Sequence, residues 1–275
     1  MISPIFLYGC EVWGYGNIEP LEVFYRSFIK RVLGIGRSTP NCIVYGEVGK
    51  YPIVHRIYTR MIAFWIKISE GKASKLSSIM YKLIYRLHQN GSYQSPWLTR
   101  IKKILSDSGN PNFWREQEFL APKGFMKNVI ASQLENQYLQ EWTAEVDRNR
   151  KCISYRIFKD TFSFEPYLKN LHFIDRRSLC KFCTGNHPLP VTKSRYVAGG
   201  GGVDTRCTLC DTGDICDEFH VLFICKFFEE HRKKYLKTNY FRRPSTLKMN
   251  SLFNSGCRQT TSLAKFVKII LSHFK

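Results

Sequence analysis

The chain has 275 residues, of which 44% are hydrophobic and 15% aromatic, and it carries a formal net charge of +20. This composition excludes an intrinsically disordered protein and is sufficient for one or two folded domains. A positive excess of this size favours a polyanionic partner, with RNA or DNA expected first.

Ten cysteines raise the question of a secreted disulfide framework. The apolar N-terminal residues lack the basic segment of a signal peptide, and no uncharged run approaches the roughly 18 residues that a membrane span needs. Several cysteines also have the spacing of metal ligands. We therefore expect an intracellular protein in a reducing compartment, with the nucleus as one compatible location, and no membrane partner.

Amphipathic periodicity predicts a mainly α fold, which begins with a multi-helix region over residues 1–150. Apolar residues at helical spacing, bounded by Pro and Gly, define the predicted helices. The glycines and prolines of residues 34–52 predict a loop, anchored by Val44 and Tyr45. The predicted helices are Pro20–Leu33, Ile53–Glu70, Ala73–His88, Trp97–Leu105, Asn112–Phe119 and Gly124–Asp147.

The helical period is lost after the charged run Arg148–Lys151, which marks a predicted boundary. In the connecting region 151–202, Tyr155–Phe162 is predicted to be extended, and two short helices follow it, Glu165–Phe173 and Asp175–Phe182. Gly199–Gly202 predicts a flexible hinge. A third region, 203–275, is expected to contain a small metal module and a basic tail that ends in an amphipathic helix.

The metal module is predicted from Cys207, Cys210, His220 and Cys225, which have the spacing Cys-x2-Cys-x9-His-x4-Cys. Three thiolates and one imidazole suit a closed, tetrahedral, structural Zn²⁺ site, and we expect one such ion. The competing interpretation is that the cysteines are ordinary thiols beside a core histidine. Cys216 is an alternative ligand. Since a continuous helix would place His220 and Cys225 on different sides, a break or a helix start is predicted between Glu218 and Cys225.

The tail from Lys226 to Lys275 has twelve Lys/Arg residues against two Glu. Such residues give sequence-independent affinity by neutralising phosphates, although a basic run can also be a solvated helix face. Four aromatic residues of this region could stack on unpaired bases or simply fill a core: Phe227, Phe228, Tyr235 and Tyr240. The predicted phosphate-binding residues are Arg206, Lys226, Arg232, Lys233, Lys234, Lys237, Arg242 and Arg243.

Two groups of motifs carry a family resemblance. The N-terminal group resembles the segment that follows the polymerase core in reverse transcriptases of jockey-like non-LTR (LINE-type) retrotransposons. The C-terminal group is similar to the zinc-binding region that ends many of these proteins. The motifs are Leu7–Gly14, Phe28–Gly34, Ser38–Asn41, Tyr45–Glu47 and Tyr51–Pro52, then Thr184–Pro190, Arg195–Tyr196, Cys207–Cys210 and Asp217–Cys225.

The resemblance implies a thumb and linker region followed by a zinc module, as a detached C-terminal fragment. The family's polymerase needs paired aspartates for two metal ions, and this sequence contains neither Asp-Asp nor the Pro-Asp of a related nuclease. The Cys180, Cys183 and His187 set could form a second metal site, but the family assigns no zinc there. We therefore expect one zinc ion and a non-catalytic function.

These observations are compatible with several functions. A nucleic-acid-binding fragment is the leading one. A zinc deaminase places its Glu two residues after the His, whereas Glu218 precedes His220, so an enzyme is not expected. The remaining alternatives are a structural remnant that docks on a separate reverse transcriptase core through the Leu21–Leu33 helix, and a decayed copy without function.

Overall fold

The computed structural model describes residues 3–117, 123–196 and 204–274. These ranges are mainly helical, which confirms the predicted fold class, and they contain no β-strand beyond two isolated bridges. The α-helices are α1 Ser3–Phe6, α2 Cys10–Trp13, α3 Glu19–Leu33, α4 Asn41–Val48, α5 Ile53–Ser69, α6 Lys75–Gln89, α7 Pro96–Asp107, α8 Pro111–Glu116, α9 Lys123–Arg148, α10 Tyr155–Phe158, α11 Tyr167–Asn170, α12 Phe173–Cys183, α13 Pro190–Tyr196, α14 Glu229–Tyr235, α15 Thr238–Phe241, α16 Thr246–Phe253 and α17 Cys257–His273.

The chain forms two compact units that interleave in sequence. The first unit contains residues 1–25 and 51–141, and the second contains residues 26–50 and 142–275. The predicted division into 1–150, 151–202 and 203–275 instead follows chain order. The Gly199–Gly202 hinge lies outside the described residues.

The first unit has a helical core around α5, whose buried residues include Ile62, Trp65 and Ile66. Trp65 Nε1 donates a 2.9 Å hydrogen bond to the Tyr81 hydroxyl, which satisfies the polar atoms of two buried aromatic side chains. Side-chain oxygens of Ser74 and Ser95 cap the first turns of α6 and α7. The predicted starts of these two helices, Ala73 and Trp97, lie within two residues of the observed ones.

The second unit packs α12 along α17. Phe158, Phe182 and Phe253 bring their rings together, with centroids 4.3 Å apart for Phe158 and Phe253. The Asn186 side chain accepts a 2.7 Å hydrogen bond from the Gly36 backbone and donates a 2.6 Å bond to the Thr39 hydroxyl. Residues of two of the resemblance motifs, Thr39 and Asn186, are therefore bonded within this unit.

Two sequence predictions about local structure are wrong. Residues 41–48 form the helix α4 instead of a loop, and Cys42 to Glu47 are all buried. Because this helix is covered on every side, it shows no amphipathic period. Tyr155–Phe158 forms α10 instead of an extended segment. Its four residues are too few to establish a helical pattern.

The length and apolarity of the helices in the described ranges bear on whether they could span a membrane. None of them is both long enough and apolar enough to cross a membrane.

Candidate metal centre

A tight turn presents the first two cysteines of the predicted metal site. Arg206 and Ile215 form an antiparallel bridge, and the Cys207 backbone N–H donates a 2.9 Å bond to the Asp214 carbonyl. Gly213 closes the turn with a φ of 70°, a left-handed conformation that glycine adopts without strain. Cys207 and Cys210 are thus held on one small, backbone-bonded loop.

The other two residues lie on an interrupted helical segment. The segment continues as a π-type turn over His220–Ile224 and stops at Cys225, where ψ is 119°. The Cys225 backbone N–H bonds to the His220 carbonyl at 2.8 Å. This is the break predicted between Glu218 and Cys225, and it allows two residues five positions apart to face the same point.

The four predicted ligand residues converge. One ligand atom from each of Cys207, Cys210, His220 and Cys225 lies within 4.8 Å of all the others. The Sγ atoms of Cys207 and Cys225 are 3.9 Å apart, and Cys210 Sγ is 3.4 Å from His220 Nε2. Zinc bond lengths give tetrahedral edges of about 3.8 Å between sulfurs and about 3.5 Å between sulfur and nitrogen. The two distances between ligand atoms lie close to these edges, and the group could hold a metal ion.

The surroundings of the cysteines shift their thiol pKa values in opposite directions. Burial acts to raise the pKa of the Cys210 thiol, but hydrogen bonds involving Thr212, Cys207 and His220 outweigh it and lower the pKa to about 6. Burial, with the neighbouring Cys207, raises the pKa of Cys225 to about 12. The cage therefore contains one thiol that ionises readily and one that needs a cation beside it to ionise. Buried Cys216, the alternative ligand, is not part of the converging group.

His220 has a supporting contact on each side. Its Nδ1 atom lies 3.7 Å from the Asp214 carboxylate, within ion-pair range, and its backbone N–H donates a 2.7 Å hydrogen bond to Asp217. A metal-ligating histidine commonly turns its second nitrogen toward a carboxylate, which fixes the ring orientation. The arrangement leaves Nε2 facing the three thiols.

Arg232, which is predicted to bind phosphate, is buried beside the interrupted helix. Its side chain is 4% exposed. Its Nε donates a 2.6 Å hydrogen bond to the Leu222 carbonyl, and its Nη2 donates a 2.8 Å bond to the Cys225 carbonyl. An interrupted helix leaves its last carbonyls without helical partners, and Arg232 donates to two carbonyls of this region. The Cys225 carbonyl also accepts a 3.3 Å bond from the Phe228 backbone N–H. This position does not favour the predicted phosphate contact, because the guanidinium is buried and directs two of its nitrogens at carbonyls of the chain.

Glu218, two residues before His220, connects the site to an upstream segment that sequence reasoning missed. Its carboxylate is 2% exposed and accepts hydrogen bonds from both Arg195 terminal nitrogens, at 2.7 and 3.0 Å, and from His187 Nε2 at 3.0 Å. His187 Nδ1 in turn lies 3.0 Å from the Thr192 hydroxyl. Burial acts to raise the pKa of Glu218, but His187 and Arg195 outweigh it and hold the pKa well below its usual range.

The same network contains His187, which the sequence analysis considered for a second metal site. His187 bonds to Glu218 and Thr192, while burial raises the pKa of Cys180 and of Cys183 well above the usual thiol range. Within the described ranges, Cys180, Cys183 and His187 do not form a metal-ligating group. Their positions are those of core residues.

The other predicted phosphate-binding residues are at the surface. All seven are exposed, and Lys233 is paired with Glu229 at 2.9 Å and Glu230 at 3.1 Å. The exposed residues are Arg206, Lys226, Lys233, Lys234, Lys237, Arg242 and Arg243.

The four candidate stacking residues divide between core and surface. Phe228 is fully buried, and Tyr235 stacks on Phe266 at a centroid distance of 6.3 Å. Tyr240 is half-buried, whereas Phe227 is 46% exposed. Phe227 therefore remains the most accessible of the four for a base.

Comparison with known proteins identifies no match. No protein-family model, curated protein or solved structure matches the chain. The geometry of the site and the chemistry of its surface therefore carry the functional argument.

Proposed function

We propose that the chain is a zinc-stabilised, non-catalytic nucleic-acid-binding protein. Three thiols and one imidazole with ligand atoms within 4.8 Å of one another offer a closed donor set, which is typical of structural zinc. Soft sulfur ligands also favour Zn²⁺ over Mg²⁺ or Ca²⁺. Four protein ligands leave no coordination position for a substrate, which supports a structural role for the ion.

The observation that carries the proposal is the set of exposed basic residues that follows the metal cage directly in sequence. Lys226 follows the ligand Cys225, and the exposed side chains of Lys234, Lys237, Arg242 and Arg243 come next. Phosphate contacts need accessible cations and no defined sequence. These cations lie on or beside α14 and α15, which contact the His220–Ile224 segment, so a bound metal would support the helices that present them.

The motif resemblance described above supports the same function. We propose that the chain corresponds to the thumb, linker and zinc-binding portion of a retrotransposon reverse transcriptase, and that it contributes binding without polymerase chemistry. RNA and DNA both offer the phosphates that this surface would contact. Nuclear location follows as part of the proposal, since chromosomal DNA is one of the two partners.

The test combines metal analysis with binding. The purified protein is analysed for bound metal, and its affinities for single-stranded RNA and duplex DNA are measured against KCl concentration. Cys207→Ser/Cys210→Ser is the test variant, and Cys257→Ser, which removes an exposed cysteine outside the cage, is its matched control. We expect one zinc per chain in the wild type and the control, with salt-sensitive binding, and loss of both in the test variant.

A second pair of variants tests the surface. Each phosphate contact contributes about 0.9 to the log–log salt slope for duplex DNA and about 0.7 for single strands. Arg242→Ala/Arg243→Ala should therefore lower the slope by roughly 1.4–1.8, whereas the exposed pair in the first unit, Lys102→Ala/Lys103→Ala, should leave it unchanged. Absence of zinc, or binding indifferent to salt, would contradict the proposal.

A second candidate function is supported by α3. Phe24, Phe28 and Val32 recur every fourth residue on this helix and are 56%, 38% and 57% exposed. Such a stripe suits a protein partner, and a separate reverse transcriptase core is the partner that the resemblance suggests. Phe28→Asp would abolish binding to such a partner and leave the salt dependence of RNA binding unchanged.

A further inference from the structure

The first unit has an apolar cavity beside an exposed helix face. The cavity has a volume of about 290 Å³, and α5, α6 and α7 contribute to its walls. Its mouth includes Val12, Tyr15 and Met80, which are 59%, 40% and 44% exposed. Small-molecule sites range from about 300 to 1,000 Å³. This cavity is at the lower limit and suits one or two apolar side chains of a partner.

The neighbouring face of α6 is apolar and open. Leu76, Ile79, Met80 and Leu83 are 69%, 54%, 44% and 50% exposed. They occupy positions i, i+3, i+4 and i+7, the spacing of one helix face. Met80 belongs both to this stripe and to the cavity wall. A continuous apolar stripe with an adjoining cavity is the pattern of a groove that receives another helix.

One edge of the stripe is basic. At about 100° per residue, Lys75, Lys82 and Arg86 fall within roughly 40° of one another, next to Ile79. All three are exposed, and α6 contains no acidic residue. The surface therefore combines apolar anchoring positions with a row of cations, and it would attract a segment that has apolar residues on one side and carboxylates beside them.

We propose that the α6 face and its cavity bind an acidic amphipathic helix of another protein. The cavity favours an inserted side chain, which a flat lipid surface cannot supply. A second copy of this chain would bring the same cations and a net charge of +20 to the contact, so like charges oppose self-association. The site lies within the first unit, and it does not depend on the metal cage or on nucleic-acid binding.

The experiment selects peptides from a displayed random library on the immobilised full chain, in reducing buffer with zinc. Enriched sequences should carry Leu, Ile, Phe or Trp at i, i+3, i+4 and i+7 with Asp or Glu beside them. Leu83→Glu should weaken the best peptide at least tenfold. Phe125→Glu, which alters a 62% exposed residue of α9 in the same unit, should leave its affinity within twofold.

Charge reversal and two competing partners complete the test. Lys75→Glu/Lys82→Glu/Arg86→Glu should weaken the acidic peptides at least tenfold. The proposal is overturned if no helical acidic pattern is enriched, or if the selected peptides bind Leu83→Glu as well as the wild type. It is also overturned if the Leu83-sensitive binding is instead to phosphatidylserine vesicles, or if sedimentation shows a dimer that Leu83→Glu dissociates.

Discussion

Replacing Arg232 by Met separates a metal-supporting role from the phosphate-binding role that its sequence position suggested. Methionine keeps a long, apolar side chain but removes the donors to the Leu222 and Cys225 carbonyls. A buried polar group left without its partner costs about 1–3 kcal/mol. The Cys225 carbonyl keeps a 3.3 Å bond from the Phe228 backbone N–H, so the Leu222 carbonyl is the one that loses its Arg232 partner. The expected loss is therefore about 1–3 kcal/mol, concentrated at the segment that positions two of the predicted ligand residues.

That loss should appear mainly in metal affinity. Second-shell changes around metal sites typically lower affinity by about 10–100-fold. We expect a decrease of that size for Arg232→Met in competition with a chromophoric zinc chelator. Lys233→Met, which changes an exposed neighbour, should stay within about twofold of the wild type because it removes no buried bond.

Nucleic-acid binding at saturating zinc provides the decisive contrast. Arg232→Met should then keep the wild-type salt slope, because the hydrogen bonds of the Arg232 guanidinium go to the Leu222 and Cys225 carbonyls of the same chain. The reasoning is refuted if Arg232→Met retains wild-type metal affinity and lowers the slope by about 0.7–0.9, the change expected for one lost phosphate contact.

Further predictions concern stability, measured by denaturant unfolding at saturating zinc. Burial, with the nearby Glu165, raises the pKa of Glu47 to about 7. The folded state therefore binds this proton more tightly than the unfolded state, and the free energy of unfolding should fall by about 3 kcal/mol as pH rises from about 4.5 to 7. Glu47→Gln should remove that decrease. If the variant shows the same pH dependence as the wild type, the assignment to Glu47 is contradicted. Glu218→Gln weakens a buried ion pair with Arg195 and should cost about 3 kcal/mol, whereas a cost below about 1 kcal/mol would mean that the pair is dispensable. A Cβ on Gly46 would lie 2.7 Å from the Tyr155 hydroxyl, so Gly46→Ala should cost about 1–3 kcal/mol. Gly124→Ala in α9, with nothing within 4 Å, should instead add about 0.5–1 kcal/mol, and equal effects of the two alanines would rule out crowding as the cause.

Regular amphipathic helices were predictable because one face repeats every three or four residues. The predicted helix Ile53–Glu70 is observed as Ile53–Ser69, and Gly124–Asp147 as Lys123–Arg148. The convergence of Cys207, Cys210, His220 and Cys225 was also predictable, since metal chemistry demands these residue types at such a spacing. In both cases the relevant information lies within one local stretch of sequence.

The remaining features depend on contacts between distant residues. Helix α4 contains Gly46, and Trp142 Nε1 donates a 2.8 Å hydrogen bond to its Cys42 carbonyl, 100 residues away. The glycine that suggested a loop is where the Tyr155 hydroxyl approaches the backbone. Arg232 is indistinguishable by sequence from the cations beside it. Its burial depends on the interrupted helix at Cys225, which only the folded arrangement defines.

Glu218 explains why the region before the metal cage belongs to the same folded structure. A buried carboxylate is costly unless its charge is matched by hydrogen-bonded partners. Both partners, His187 and Arg195, come from the segment around α13, whereas His220 of the converging group lies two residues after Glu218. The charged group can therefore be buried at low cost only when both segments are in place. The ion pair makes the orientation of the His220 segment depend on the upstream fold.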